Sequence, residues 1–348
     1  MKWNNKVVLI TGGTGSFGHE FVKVMLTQHK PKKLIVFSRD EMKQYEMRKI
    51  YNDPCMRYFI GDVRDPDRLH RAFQGVDIIV HAAALKVVPT AEYNPFEVVK
   101  TNVIGAENVI NLAIDNNVEK VIALSTDKAA NPVNLYGATK LCAEKMFVAA
   151  NNYSPEGTRF SVVRYGNVFG SRGSVVPFFK ECRRTGVVPI TDERMTRFWI
   201  TLRQGVEFVV NCFDEMSGGE IFVPKLPSIR IVDMAKVICP NAKRKIIGIR
   251  PGEKIHESLV SSDDGIDTYE FKDKYVIYSK IVPNRGNGIK GKLLGPDFEG
   301  YRSDKNSKWI KLSELNSLLA KEENEGDLNN YTLRKISSKK RPVPSFQS

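Results

Sequence analysis

"VVLITGGTGSFGHEFV", residues 7–22, decides the fold. A short apolar, β-branched run goes straight into glycines, and a helix-spaced stretch follows. Gly12, Gly15 and Gly18 stand at the junction. Glycine there permits a tight turn and lets a ligand approach the backbone closely. The helix that starts at the turn points its unpaired N–H groups at that ligand, which suits a phosphate. The spacing alone is weak evidence. Between a first strand and a first helix it predicts a dinucleotide cradle, with Thr14, Ser16 and Phe17 in the same loop. The plain alternative is a glycine-rich turn with no ligand.

Further runs of strand length follow: "KLIVFS", "RYFIG", "DIIVHAAA", "KVIALST" and "FSVVRY". Amphipathic stretches lie between them, as at 94–116 and 135–152. The alternation predicts βαβ units, hence a doubly wound parallel α/β (Rossmann) sheet with helices on both faces. Covered faces explain why the runs are continuously apolar. Residues 1–170 read as this nucleotide-binding domain. Beyond it the pattern loosens, and 171–323 reads as a smaller α/β substrate-binding domain. Its segment 202–214 is a candidate helix packing back on the first domain. Residues 324–348 read as a mobile basic tail.

The chain has 348 residues, 42% hydrophobic and 27% charged, as in a globular protein. Lys and Arg exceed Asp and Glu by 53 to 40, a net +13, which favours acidic partners. Part of the excess is local: from Asp327 onward five Lys/Arg face one Asp. No basic run elsewhere is interleaved with aromatics, so no nucleic-acid partner is expected. Five scattered cysteines form no metal-ligand pattern, so no metal is expected and the thiols read as reduced, in a cytoplasm. No window approaches the roughly 18 apolar residues of a membrane helix, and the N-terminus does not read as a signal peptide.

The second strand ends "FSRDE". A site for NAD usually places a carboxylate there to bind the ribose diol. Ser38 and Arg39 occupy the aligned positions and suit a 2′-phosphate, so NADP is expected; Asp40, two residues on, keeps NAD open. Asp62, followed by Val63, ends the third strand, where a carboxylate can accept from an adenine amine. After the fourth strand, Ala82 and Ala83 let a cofactor lie close, and Lys86 can reach cofactor or substrate.

Tyr-x-x-x-Lys occurs four times, so spacing alone says little. Only Tyr136 opens a predicted helix just after a strand end, the one bearing Thr126. Lys140 shares its helix face. A nearby ammonium lowers the phenol, so Tyr136 can accept a proton from a substrate hydroxyl. Lys140 can also hold a nicotinamide ribose, and Thr126 can bond the reacting oxygen.

Together, "TGGTGSFG", "FSRDE", "GDVRD", "AALK", "STDKA", "NLYGATK" and "RYGNVFGSRGSV" resemble the extended short-chain dehydrogenases/reductases acting on nucleotide sugars. Within these the chain is most similar to the configuration-inverting UDP-N-acetylglucosamine 4,6-dehydratases that open pseudaminic acid synthesis. The resemblance covers about residues 5–280. It implies that Tyr136, Lys140 and Thr126 support oxidation at C4, Lys128 removes the C5 proton and Asp127 protonates the departing C6 hydroxyl. Lys128 must then be partly neutral, which burial or a nearby cation promotes. The resemblance also implies UDP-N-acetylglucosamine as partner, held by Lys86, Asn167, Arg172, Thr191, Arg197, Arg250 and Glu253, and a homo-oligomer, dimer or hexamer. A UDP-sugar 4-epimerase and a non-catalytic NADP-binding sensor are the alternatives. Asp127–Lys128 argues against the first, and the intact Thr126/Tyr136/Lys140 set against the second.

Overall fold

A computed structural model describes residues 1–171, 174–282 and 290–320. Six strands are built from the apolar runs: β1 (Val7–Thr11), β2 (Lys33–Ser38), β3 (Met56–Ile60), β4 (Ile78–His81), β5 (Lys120–Thr126) and β6 (Arg159–Tyr165). All pair in parallel, in the order β3-β2-β1-β4-β5-β6. Every residue of β1 and β4 is buried, as a sheet covered on both faces requires. The order reverses direction between β1 and β4. That switch point opens a crevice at the strands' C-terminal ends.

The helices on the two faces start with α1 (Ser16–Val24), α2 (Glu41–Ile50) and α3 (Pro66–Phe73). Next come α4 (Val88–Tyr93), α5 (Pro95–Val99), α6 (Gly105–Asp115) and α7 (Leu135–Ala149). Asp40 and Asp65 cap α2 and α3, accepting from Lys43 N–H and Arg68 N–H at 3.0 Å each. Asn134 caps α7 through Gly137 N–H at 2.8 Å.

Strands β7 (Asn167–Val168), β8 (Val187–Ile190), β9 (Thr196–Ile200), β10 (Glu220–Pro224) and β11 (Ser228–Arg230) follow. Then come β12 (Lys243–Ile246), β13 (Ser258–Val260), β14 (Thr268–Glu270), β15 (Lys274–Tyr278), β16 (Lys292–Leu293) and β17 (Tyr301–Arg302). Four of these extend the main sheet: β10 pairs parallel with β6, and β15, β14 and β16 continue antiparallel. The short sheets β7-β9-β11 and β8-β12, with α8 (Val175–Thr185) and α10 (Ile231–Ile238), enclose a second, smaller core around Phe179, Trp199 and Met234. Between β9 and β10, α9 (Leu202–Glu215) opens with a Thr201/Gln204 capping box and packs against α1.

A buried ion cluster fixes α7 to the sheet. The Arg164 guanidinium donates to Glu144 at 2.6 and 3.0 Å and to the Leu259 carbonyl at 2.9 Å. No described helix is long and apolar enough to cross a membrane.

Candidate active site

A cleft of about 820 Å³ lies over the crevice. Six of the eight buried side-chain polar atoms without a hydrogen-bond partner, among the described residues, belong to residues lining it. They sit on Thr101, Ser125, Asp127, Asn167, Ser174 and Glu253. Buried polar atoms are normally satisfied, so a polar ligand fits here.

The β1–α1 loop forms one wall, with Gly12, Thr14, Gly15, Ser16, Phe17 and Gly18 all lining it. Gly12 has φ +65°, and a Cβ there would meet Ala83 Cα at 2.8 Å. A Cβ on Gly18 would sit 2.0 Å from the Gly13 carbonyl oxygen. The loop therefore packs backbone against backbone. The residue at the start of α1, Gly15, brings no side chain to cap it. A cradle of bare backbone before a helix N-terminus fits a dinucleotide pyrophosphate.

Ser38, Arg39, Asp62, Val63, Ala82, Ala83 and Lys86 line the same wall. Ser38 is buried, its hydroxyl accepting from Gln44 at 3.0 Å. Arg39 is exposed and reaches Asp62 at 3.3 Å. Asp40 also lines the cleft, where it caps α2 and pairs with Lys43 at 2.8 Å. Lys43, overlooked in the sequence, also lines the cleft, its ammonium paired with Asp40.

The floor is the end of β5 and the first turn of α7. Thr126 donates to Asp127 Oδ1 at 2.9 Å, and Lys128 Nζ donates to the same oxygen at 2.9 Å. Asp127 is 1% exposed, and its Oδ2 has no partner. Tyr136 and Lys140 line the cleft beside this pair.

Two electrostatic expectations change here. Burial, despite Lys128 and a hydrogen bond with Thr126, holds the Tyr136 phenol above its ordinary value, so the free site does not favour phenolate. The cation that opposes burial is Lys128, not Lys140. Burial brings Lys140 itself down to about 8, against an opposing pull from Glu144. Lys128 also departs from expectation. Burial pulls its ammonium down, but Asp127 and Glu257 outweigh burial and raise it. The free site holds Lys128 charged because two carboxylates surround it.

Of the expected sugar-nucleotide residues, Asn167, Arg250 and Glu253 line the cleft together with Lys86. Thr191 and Arg197 do not. Arg197 is 8% exposed and donates to the carbonyls of Thr196, Ile255 and Lys254 at 2.7 to 2.9 Å. It clamps the 254–255 backbone. Arg172 and the tail 324–348 lie outside the described residues. Sequence reasoning missed Glu257, 2% exposed, with Oε1 3.7 Å from Lys128. It sits in the charged run "EKIHE", where nothing marks one carboxylate as buried.

The polysaccharide biosynthesis protein family matches residues 8–279. A UDP-N-acetylglucosamine 4,6-dehydratase (inverting) of Campylobacter jejuni is 56% identical over 324 residues, 90% of this chain and 97% of that one. A UDP-glucose 4-epimerase of Rickettsia conorii is 42% identical over 332 residues, 90% of this chain and 95% of its own. The crystal structure of Pen from Bacillus thuringiensis superposes with a TM-score of 0.84 at 38% identity. It covers 92% of this chain and all of that one.

Proposed function

The chain belongs to the polysaccharide biosynthesis protein family, and from that premise we propose that it is a hydro-lyase, an inverting UDP-N-acetylglucosamine 4,6-dehydratase. One observation carries the reading. Asp127 and Lys128 form a hydrogen-bonded acid–base pair at 2.9 Å beside Tyr136. A 4-epimerase, such as the Rickettsia relative is named, needs no such second pair.

NADP is the proposed cofactor. Supporting it are the bare glycine cradle, the exposed Arg39 near the buried Ser38, and the Asp40 carboxylate capping α2 and paired with Lys43. The nicotinamide, when bound, supplies the acceptor and later the donor of the hydride that leaves C4 and arrives at C6. The rest is done by side chains. Tyr136 takes the proton from O4, with Thr126 bonding that oxygen and the Lys128 charge favouring phenolate. The 4-ketone acidifies C5. Lys128 takes the C5 proton, the C6–O6 bond breaks, and Asp127 gives its proton to the departing oxygen. Water leaves and a C5=C6 double bond forms. C5 then takes a proton from solvent on the face opposite Lys128, and Tyr136 returns the O4 proton to solvent, so the net change is loss of one water.

The resting pair carries a charged amine and a carboxylate; elimination needs a neutral amine and an acid. One proton moving from Lys128 Nζ to Asp127 Oδ1 across 2.9 Å makes the change with none gained from outside. Elimination then restores the resting pair. Asn167, Arg250 and Glu253 are proposed to hold the sugar nucleotide. Arg250 is exposed at the rim and stands 3.8 Å from Glu253, a guanidinium suited to a diphosphate.

The test is a mass spectrum after incubation with UDP-N-acetylglucosamine and NADP without added reductant. Loss of one water supports the reading. A new isomer of unchanged mass supports the epimerase, and unreacted substrate supports a non-catalytic binder.

A further inference from the structure

We propose that Glu257 is a positioning residue for the elimination: its buried carboxylate holds the Lys128 amine beside Asp127 and ties that amine to the segment carrying Arg250 and Glu253. The inference rests on the dehydratase reading. Three cations converge on this one carboxylate. Oε1 lies 3.7 Å from Lys128 Nζ and 3.7 Å from Arg197 Nε, and Oε2 lies 3.9 Å from Lys254 Nζ. Each distance exceeds a hydrogen bond, and Oε2 has no hydrogen-bond partner at all. Charge alone therefore aims the cations at Glu257. The backbone of Glu257 is itself fixed: its N–H donates to Ser303 Oγ at 2.9 Å and its carbonyl accepts from Ser303 N–H at 2.8 Å.

The same segment grips the catalytic loop twice more. Lys254 Nζ donates to the Ala130 carbonyl at 2.7 Å, and Asn134 donates to the Gly252 carbonyl at 2.8 Å. Residues 250–257 thus run from the rim of the cleft to the base in it. Binding that fixes Arg250 and Glu253 also fixes the seat of Lys128.

The groups facing Lys128 are Asp127, Glu257, Tyr136 on α7, Lys86 after β4, and Arg197 on β9, with Lys254 beyond Glu257. Four cations, Lys86, Lys128, Arg197 and Lys254, face two carboxylates. Burial, with Asp127, raises the Glu257 carboxyl against the pull of Lys128, Arg197 and Lys254; at a pH where it is ionised, deleting its charge leaves the cluster richer in positive charge by one. The Asp127–Lys128 pair then loses its protons at lower pH, and Lys128 becomes a weaker acceptor for the C5 proton. A buried ion cluster with a purely structural role predicts no such shift.

The experiment compares the unchanged protein, Glu257→Gln and Glu257→Asp, each full length with UDP-N-acetylglucosamine and NADP. Water loss is followed as kcat and KM across pH. In E257Q the profile is expected to move to lower pH by about one to three units, the span from water-like to protein-like screening at this distance. Its maximal kcat is expected to fall about tenfold, a part of what a general base supplies. KM should stay within about threefold, because the cleft residues that hold the nucleotide are untouched. E257D keeps the charge, so its profile should stay in place while kcat falls. If E257Q does not fold, E257D decides through two rates: slower deuterium uptake at C5 with reduced-nicotinamide formation at C4 unchanged supports the proposal, and equal loss of both, or loss of neither, overturns it. An active unchanged protein with an unmoved E257Q profile overturns this proposal alone. No water loss from the unchanged protein overturns the dehydratase reading, and this proposal with it.

Discussion

Replacing Lys128 with Met should separate oxidation at C4 from elimination. The methionine keeps the length of the side chain and removes its charge. In the structure that charge lies 2.9 Å from Asp127 and 3.7 Å from Glu257, both nearly fully buried. Removing the cation between them costs about 3–5 kcal/mol of folding stability, less whatever is regained when one carboxylate takes up a proton. The variant is therefore compared below its own unfolding temperature, with NADP binding measured first. A general base is worth roughly 10²–10⁴-fold in rate. Uptake of deuterium at C5 from heavy water, followed by NMR, should fall by that factor. Tyr136, Thr126 and Lys140 remain, so C4 oxidation should continue, slowed by the loss of the cation that favours the phenolate. With elimination blocked, hydride has no route to C6, and the absorbance of reduced nicotinamide should accumulate to at most one equivalent. The unchanged protein should show no such accumulation. K128M that binds NADP and still washes deuterium into C5 at the original rate would refute the assignment of Lys128 as the base.

Gly18→Ala should abolish NADP binding and lower the melting temperature. Its Cβ would stand 2.0 Å from the Gly13 carbonyl oxygen, and overpacking of that kind costs about 1–3 kcal/mol or more; calorimetry reads both effects. Arg39→Ala should weaken NADP binding by roughly tenfold or more and NAD binding little, because only the first has a 2′-phosphate for the guanidinium; titration with both cofactors checks it. Lys140 predicts a pH dependence of stability. Burial lowers its folded-state value to about 8 from 10.5, so between these limits the unfolded chain holds the extra proton. The penalty is full below about 8 and is relieved as pH rises to 10.5. Stability from this group therefore increases with pH across the window, by about 3 kcal/mol. In denaturant titrations without cofactor, the stability of Lys140→Met relative to the unchanged protein should fall by a similar amount over the same range.

The fold and the glycine-lined wall of the cleft were legible because both follow local rules. Continuous β-branched runs announce buried parallel strands, and a glycine triplet between strand and helix announces a backbone-lined cradle; residues 7–22 carry both signals. Tyr136 was separable from the other three Tyr-x-x-x-Lys pairs only by its position after β5. The substrate side was less legible, because its geometry depends on segments far apart in the chain. Arg197 was expected to face the substrate, but three backbone carbonyls absorb its donors. The continuation of the main sheet through β10 and β15 depends on a parallel pairing with β6 and an antiparallel one across about fifty residues, which no local pattern announces. The charge state of Lys128 in the free site was not legible for a related reason. Its controlling neighbour, Glu257, arrives from a distant loop, and a sequence shows nothing of such a pair's distance or burial.

The central claim is that water is lost from C5 and C6 of the sugar with exchange at C5. The most direct measurement is a reaction with UDP-N-acetylglucosamine and NADP run in heavy water and stopped early, with the product read by mass spectrometry and NMR. The account predicts a product lighter by one water, with a single non-exchangeable deuterium, placed at C5, and none at C6, because C6 receives its hydrogen from C4. A product of unchanged mass, differing only in configuration at C4, would contradict it, as would deuterium appearing at C6.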